Sequence, residues 1–264
     1  NGEYKGLYLL TDQIEKKKHR VDIADDGFLF ENDNYAWAEP LRFVTAKKGY
    51  QFSFKYPDPE DGEIAEGDDN YYYILRYMNS FEEALYGDNF KDPATGYRKY
   101  IDVESFAKWY IVAELTANHD PNMYYVMPHR GAKLKKGPLW DSEWSLGTSY
   151  RGGPTDAWAV PPRKPDPHQV IWGNWKYFGR LFQDPYFKEV VKKEWEEFKP
   201  RIPMVKEKLE DVAACINEAQ AMNFARWPVI GTYLGALLIC LGSWEEEVQY
   251  NSDFLDERVR WMDD

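Results

Sequence analysis

The last third of the chain admits little besides helix. Beyond Asp184, residues Phe187, Val190, Val191, Trp195 and Phe198 mark one apolar stripe, and Val205, Leu209, Val212, Ile216 and Ala219 mark a second, at steps of three or four residues. Both stripes are expected to be core scaffold. Ser243, with Glu246 three residues on, is a capping-box signature for a last helix that carries Val248, Leu255 and Val259. No internal repeat is present.

Strand signals are confined to the front. Residues 4–10, 27–31 and 50–55 cluster or alternate aromatic and aliphatic side chains, and Pro57 and Pro59 end the third run. The acidic stretch 58–69 reads as a solvated loop leading into a helix over 71–85. Asp102 is placed to cap a helix whose apolar positions Val103, Phe106, Tyr110, Val112 and Leu115 approximate helical spacing and which stops near Asn118. Strands first and helices later predict an α+β fold, a small antiparallel sheet region followed by a mainly helical lobe. The expected organisation is a single domain, with residues 1–98 strand-rich and residues 99–264 holding a hairpin and the helical lobe.

Composition narrows the function classes. With 44% hydrophobic residues the chain can bury a substantial core, and 11 Trp and 20 Tyr imply half-buried rings lining grooves suited to flat or sugar-like ligands. A net charge of −12 opposes any sequence-independent grip on nucleic acid. No apolar run reaches the ~20 residues that span a bilayer. Cys215 and Cys240 lie in apolar contexts and read either as buried free thiols or as a disulfide. The chain starts without methionine and reads as a mature or trimmed piece.

The chemistry-bearing tracts are residues 117–125 and 137–147. A helix ending at Asn118 would present Asp120 and Asn122 on a loop, residues 124–127 would form a strand, and Leu139 and Trp140 would return as its partner, ending at Asp141. Two loops would thereby meet. An Asp, an Asn and a second Asp on adjacent loops are hard oxygen donors suited to magnesium, which takes its remaining ligands from water and substrate phosphates. In the phosphoryl-transfer template one Asp orients the acceptor hydroxyl while the Asn and second Asp hold metal. Asp120 takes the first role, Asn122 and Asp141 the others, with Glu143 as an auxiliary ligand and Trp140 packing near the cleft.

Taken alone, Asn118, His119, Asp120 and Pro121 are also ordinary helix-stopping turn chemistry. Asp141 and Glu143, flanked by Trp140 and Trp144, admit a glycosidase reading, although such carboxylates usually come from separate elements. Lys55 has two readings, a contact to nucleotide phosphates or a strand-end lysine reaching for solvent. His19, His129 and His168 lack metal-ligand spacing, which argues against zinc. A long Gly- and Pro-rich loop over 151–167 is placed to cover a site.

The motifs Gly2-Glu3-Tyr4-Lys5-Gly6-Leu7-Tyr8, Phe28-Leu29-Phe30-Glu31, Phe54-Lys55-Tyr56-Pro57, Asn118-His119-Asp120, Asn122-Met123-Tyr124 and Trp140-Asp141 stand in an order that resembles the spore-coat-H (CotH) kinase-like family. Arg180-Leu181-Phe182-Gln183-Asp184-Pro185 and Asn223-Phe224-Ala225-Arg226-Trp227-Pro228 extend the resemblance over essentially the whole chain. It implies an atypical protein-kinase-like fold using ATP and Mg2+ to phosphorylate Ser or Thr on secreted, periplasmic or cell-surface proteins, the acceptor protein being the partner. It also implies a further N-terminal region, with an Arg-Gly-Asn-Ser-Ser-like stretch and lysine-bearing strands, that this sequence does not contain. Asp12 stands where the family pattern has Glu, and Glu143 where it has Asp or Asn. These departures keep a second class open, a non-catalytic surface or coat protein that holds glycan or protein on exposed aromatics such as Trp158, Trp172 and Trp175.

Overall fold

The computed structural model describes residues 2–118, 120, 122–147, 176–233 and 240–263. The loop expected over 151–167, the aromatic trio Trp158, Trp172 and Trp175, and the histidines His119 and His168 lie outside them. The described residues form strands β1 (Phe28–Asn32), β2 (Arg42–Val44), β3 (Gln51–Tyr56), β4 (Met123–Met127) and β5 (Lys135–Lys136). Their helices are α1 (Asp69–Tyr86), α2 (Val103–Leu115), α3 (Lys176–Leu181), α4 (Pro185–Phe198), α5 (Ile202–Cys215), α6 (Asn217–Arg226) and α7 (Trp244–Asp263). The expected α+β architecture is present, a small antiparallel sheet with a mainly helical second half, although α1 and α2 come before the last two strands.

The sheet runs in the order β2-β3-β1-β4-β5, every neighbouring pair antiparallel. Central β1 and β4 are buried at all their positions, so both faces of the sheet are covered. Period-two alternation sorts their side chains. Phe28, Phe30, Met123, Tyr125 and Met127 point into the main core with α1, α2 and α3, where Phe30 stacks on Tyr125 with ring centroids 5.8 Å apart. Leu29, Tyr124 and Val126 point the other way and pack with Val21 and Ile23, against which Tyr56 and Trp140 rest. Glu31, two residues beyond Leu29, shares that second face.

Several expectations need correction. Residues 4–10 form no strand. Their main chain is engaged by α6 instead: the Leu7 amide donates to Asn223 Oδ1 at 3.2 Å, Arg226 donates to the Tyr4 carbonyl, and the Tyr4 hydroxyl donates to the Ala219 carbonyl at 2.9 Å. Helix side chains thus take the place of a neighbouring strand. The partner of β4 is Lys135–Lys136, four residues before the expected Leu139 and Trp140, because the chain turns back earlier, at residues 128–131. Helix α2 ends at Leu115, and Ala117 at φ 48° prevents its continuation to Asn118. The second helical stripe is not core: Val205 and Val212 of α5 are exposed, and among α5 residues only Ile202 is buried. Cys215 and Cys240 are free and exposed, neither buried nor paired.

Other signals hold. Asp102 caps α2, accepting from the Ser105 amide at 3.0 Å. Ser243 Oγ accepts from the Glu246 amide, while the Glu246 carboxylate reaches back to the Gly242 amide at 2.8 Å. No described helix is long and apolar enough to cross a membrane.

Helix α7 is fastened to α2 by an ion pair sealed from water. Arg258 and Glu114 are both 0% exposed, 3.0 Å apart, and Arg258 also donates to the Glu114 carbonyl. Removing one partner strands a buried charge, at a cost of about 3–5 kcal/mol. Arg258→Met is therefore expected to lower unfolding free energy by about that amount in urea titration, with Arg260→Met, in an exposed pair to Glu257, changing it by less than about 1 kcal/mol.

Candidate functional site

Just past the Glu114–Arg258 pair, the left-handed turn at Ala117 delivers Asn118, which is 2% exposed. Its carboxamide works in both directions. Oδ1 accepts from the Asp120 amide at 3.0 Å, and Nδ2 donates to the Asp141 carbonyl at 2.7 Å. One buried side chain therefore fastens the Asp120 loop to the Asp141 loop. The second loop is further held where the Leu146 amide donates to the Thr116 carbonyl at 2.6 Å. Asp141 itself sits at φ 65°, a left-handed conformation that asparagine and aspartate tolerate better than bulkier residues.

The expected meeting of the two loops thus occurs, although the strand that pairs with β4 comes earlier than the sequence suggested. Asp120, Asn122 and Asp141 are half-buried, and Glu143 is exposed. Trp140 lies on the second face of the sheet, with the Arg20 guanidinium 5.8 Å from its ring centroid. A cleft of about 780 Å³ opens here, its wall including Leu9, Thr11, Arg20, Trp140, Asp141 and Glu143. Arg20 and Asn118 gained no role from the sequence. Arg20 is far away along the chain, and the Asn118 signal was that of a helix stop.

Lys55 is not directed at the cleft acids. Its ammonium lies 3.0 Å from Glu39 and 3.6 Å from Glu31, held between two carboxylates. Glu31, 5% exposed on β1, also accepts from Asn122 Nδ2 at 2.5 Å. Burial raises the Glu31 carboxyl above its ordinary range, opposed by the Asn122 hydrogen bond and by Lys55. Behind the sheet, Lys136 is buried and Lys176 half-buried. Lys136 Nζ donates to the Tyr124 carbonyl and lies 4.2 Å from the Trp109 ring centroid, and burial pulls its ammonium well below the usual lysine range. Lys176 donates to Asn32 Oδ1 and is lowered by burial to about 8.

Among the described residues no three His, Cys, Asp or Glu side chains gather as a metal cluster. Magnesium does not require one, since it is commonly held by one or two carboxylates with the rest of its shell from water and phosphate. Asp120 and Asp141 stand on loops fastened together by Asn118, Asn122 is held by Glu31, and of the three only Asp141 is in the cleft wall; their side chains carry hard oxygens of the type magnesium takes.

A five-stranded antiparallel sheet with α1 and α2 inserted between β3 and β4, and further helices after β5, defines an α+β protein. The family model described as CotH kinase protein matches residues 1–262, and the chain belongs to that family. No curated protein matches it.

Two outcomes are expected. Asn118→Ala removes one hydrogen-bond partner from the Asp120 N–H and one from the Asp141 C=O, at a cost of about 1–3 kcal/mol. Hydrogen exchange of the Asp120 amide should accelerate in this variant while β1 and β3 amides stay protected. The second concerns pH. Between 8 and the ordinary lysine value of 10.5 the unfolded chain binds more protons than the folded one at Lys176, and Lys136 acts with the same sign, so stability rises with pH through this window, Lys176 contributing from about 8. Above about 10 the sign reverses, because buried Tyr77, Tyr97 and Tyr125, raised by burial, keep protons that the unfolded chain releases. Urea midpoints across this range should show the rise in the parent and a flatter profile in Lys176→Met.

Proposed function

We propose that the chain carries the phosphoryl-transfer site of an ATP- and Mg2+-dependent kinase acting on Ser or Thr hydroxyls of secreted or surface proteins. The observation that carries this reading is the Asn118 carboxamide fastening the Asp120 and Asp141 loops to one another. Phosphoryl transfer depends mainly on positioning and charge, so fixing the two acids on one buried anchor addresses its main requirement. Family membership supports the same reaction class.

Asp120 orients the acceptor hydroxyl and takes its proton as the oxygen bonds to the γ-phosphorus and the bond to the ADP oxygen breaks. Asn122 and Asp141 hold magnesium, with Glu143 as an auxiliary ligand from the open side. Bound magnesium supplies neutralisation of the phosphate charge that otherwise opposes attack. Trp140 offers an aromatic wall for the nucleotide, with the Arg20 guanidinium beside it. Lys55, held by Glu31 and Glu39, is ion-paired as the phosphate-contacting lysine of the kinase template is, which supports its reading as a nucleotide-binding residue.

Isothermal titration of ATP with and without Mg2+ tests this directly. The parent chain is expected to bind ATP in a magnesium-dependent manner, and Asp141→Ala to lose that binding. Asp120→Asn should keep the affinity and lower transfer by about 10²–10⁴-fold, the usual worth of general base catalysis. Absence of Mg2+-dependent binding in the parent would favour a non-catalytic surface or coat protein.

A further inference from the structure

We infer that Glu31 is a positioning residue for Asn122, committing the amide nitrogen of that side chain to the sheet and turning its oxygen, the only atom able to ligate a cation, the other way. The inference rests on the reading of Asn122 as a metal ligand. Its starting point is a charge where the fold asks for none. On the second face of β1 and β4, Glu31 stands beside Leu29, Tyr124 and Val126, in register opposite Tyr124. An apolar residue would suit that surface, and a buried carboxylate is expensive unless it is fully partnered.

Its partners are arranged about one oxygen each. Oε1 accepts from Asn122 Nδ2 at 2.5 Å, and Oε2 lies 3.6 Å from the Lys55 ammonium, which Glu39 holds at 3.0 Å from behind. The two ends of an asparagine amide are nearly alike in shape, and only hydrogen bonding distinguishes them. An ionised carboxylate only accepts, so it selects the amino end. Lys55 fixes the carboxylate, the carboxylate fixes the amide, and the amide oxygen diverges from Nδ2 by the planar geometry of the group. Groups behind a metal ligand that orient it in this way commonly change affinity by about 10–100-fold when removed.

The test is a double-mutant cycle read by Mn2+ alone, followed through the free-ion EPR signal of the full chain, with Asp141→Ala defining the binding that belongs to the site. Glu31→Leu is expected to weaken Asp141-dependent binding by about 10–100-fold. Glu31→Gln, which keeps an acceptor for Asn122, should stay within about fivefold of the parent. Asn122→Asp sets a second carboxylate against Glu31 and should bind about tenfold more weakly than the parent, whereas Glu31→Gln with Asn122→Asp should bind at least as tightly as the parent. A merely structural Glu31 would not couple to residue 122 in this way. Thermal melts accompany each variant; if Glu31→Leu does not fold, the near-isosteric cycle decides alone. Unchanged binding in both Glu31 variants, or an Asn122→Asp effect identical in the two backgrounds, overturns the inference and leaves the metal reading standing. No Asp141-dependent Mn2+ binding by the parent removes the metal reading and the inference with it.

Discussion

The ion pair between Glu114 and Arg258 governs how the rest of the molecule is arranged. Two charges sealed from water are tolerable only together, because desolvating either one alone costs more than the fold has to spare. The pair therefore admits a single seat for α7, against the last turn of α2. Arg258 also donates to the Glu114 carbonyl, close to where α2 runs out of internal partners. Four residues beyond Glu114, Asn118 emerges and draws the Asp141 loop to it. A contact made near the end of the chain thus sets the origin of a loop in its middle.

The sheet has two unlike faces. One is an aromatic core in which Phe30, Phe43, Phe52 and Tyr125 meet ring to ring. The other carries Glu31, Lys55 and Trp140 as well as apolar side chains, and it is this face that adjoins the cleft. Polar groups in such a setting are costly if unpaired and rigid once paired. Rigidity is what a site built on two loops lacks, and the strand beside it provides a fixed surface for Asn122 to lean on.

Local signals were legible where local physics decides. The Asp102 cap, the Ser243 and Glu246 pairing, β1, β3 and helices α1, α2 and α4 all follow from capping chemistry and periodicity within a few residues. What failed was decided at a distance. Residues 4–10 carry a strand pattern, yet side chains more than two hundred positions away in α6 bond the Leu7 N–H and the Tyr4 C=O. The three residues of β2 and two of β5 are too short to carry any period. Val205, Leu209 and Val212 have helical spacing, which identifies a helix but not whether anything covers it. Asp120, Asn122 and Asp141 were visible as residue types in a spacing. Asn118, Arg20 and Glu31 were not visible as site residues, because their place depends on contacts that no window of sequence contains.

The docking of the first residues on α6 has a consequence for the cleft. Once the chain leaves Trp227, against which Gly6 packs so closely that a Cβ would stand 3.2 Å from the ring, it runs on to Leu9 and Thr11 in the wall opposite Asp141 and Glu143. Leu9 is 90% exposed, and the hydrogen bonds that anchor this stretch to α6 lie upstream of it, at Tyr4 and Leu7. One part of the cleft wall is tied to the end of α2 through Asn118 and the Asp141 main chain, and another to α6 through Tyr4 and Leu7, so one opening is framed by two distant stretches of the helical lobe.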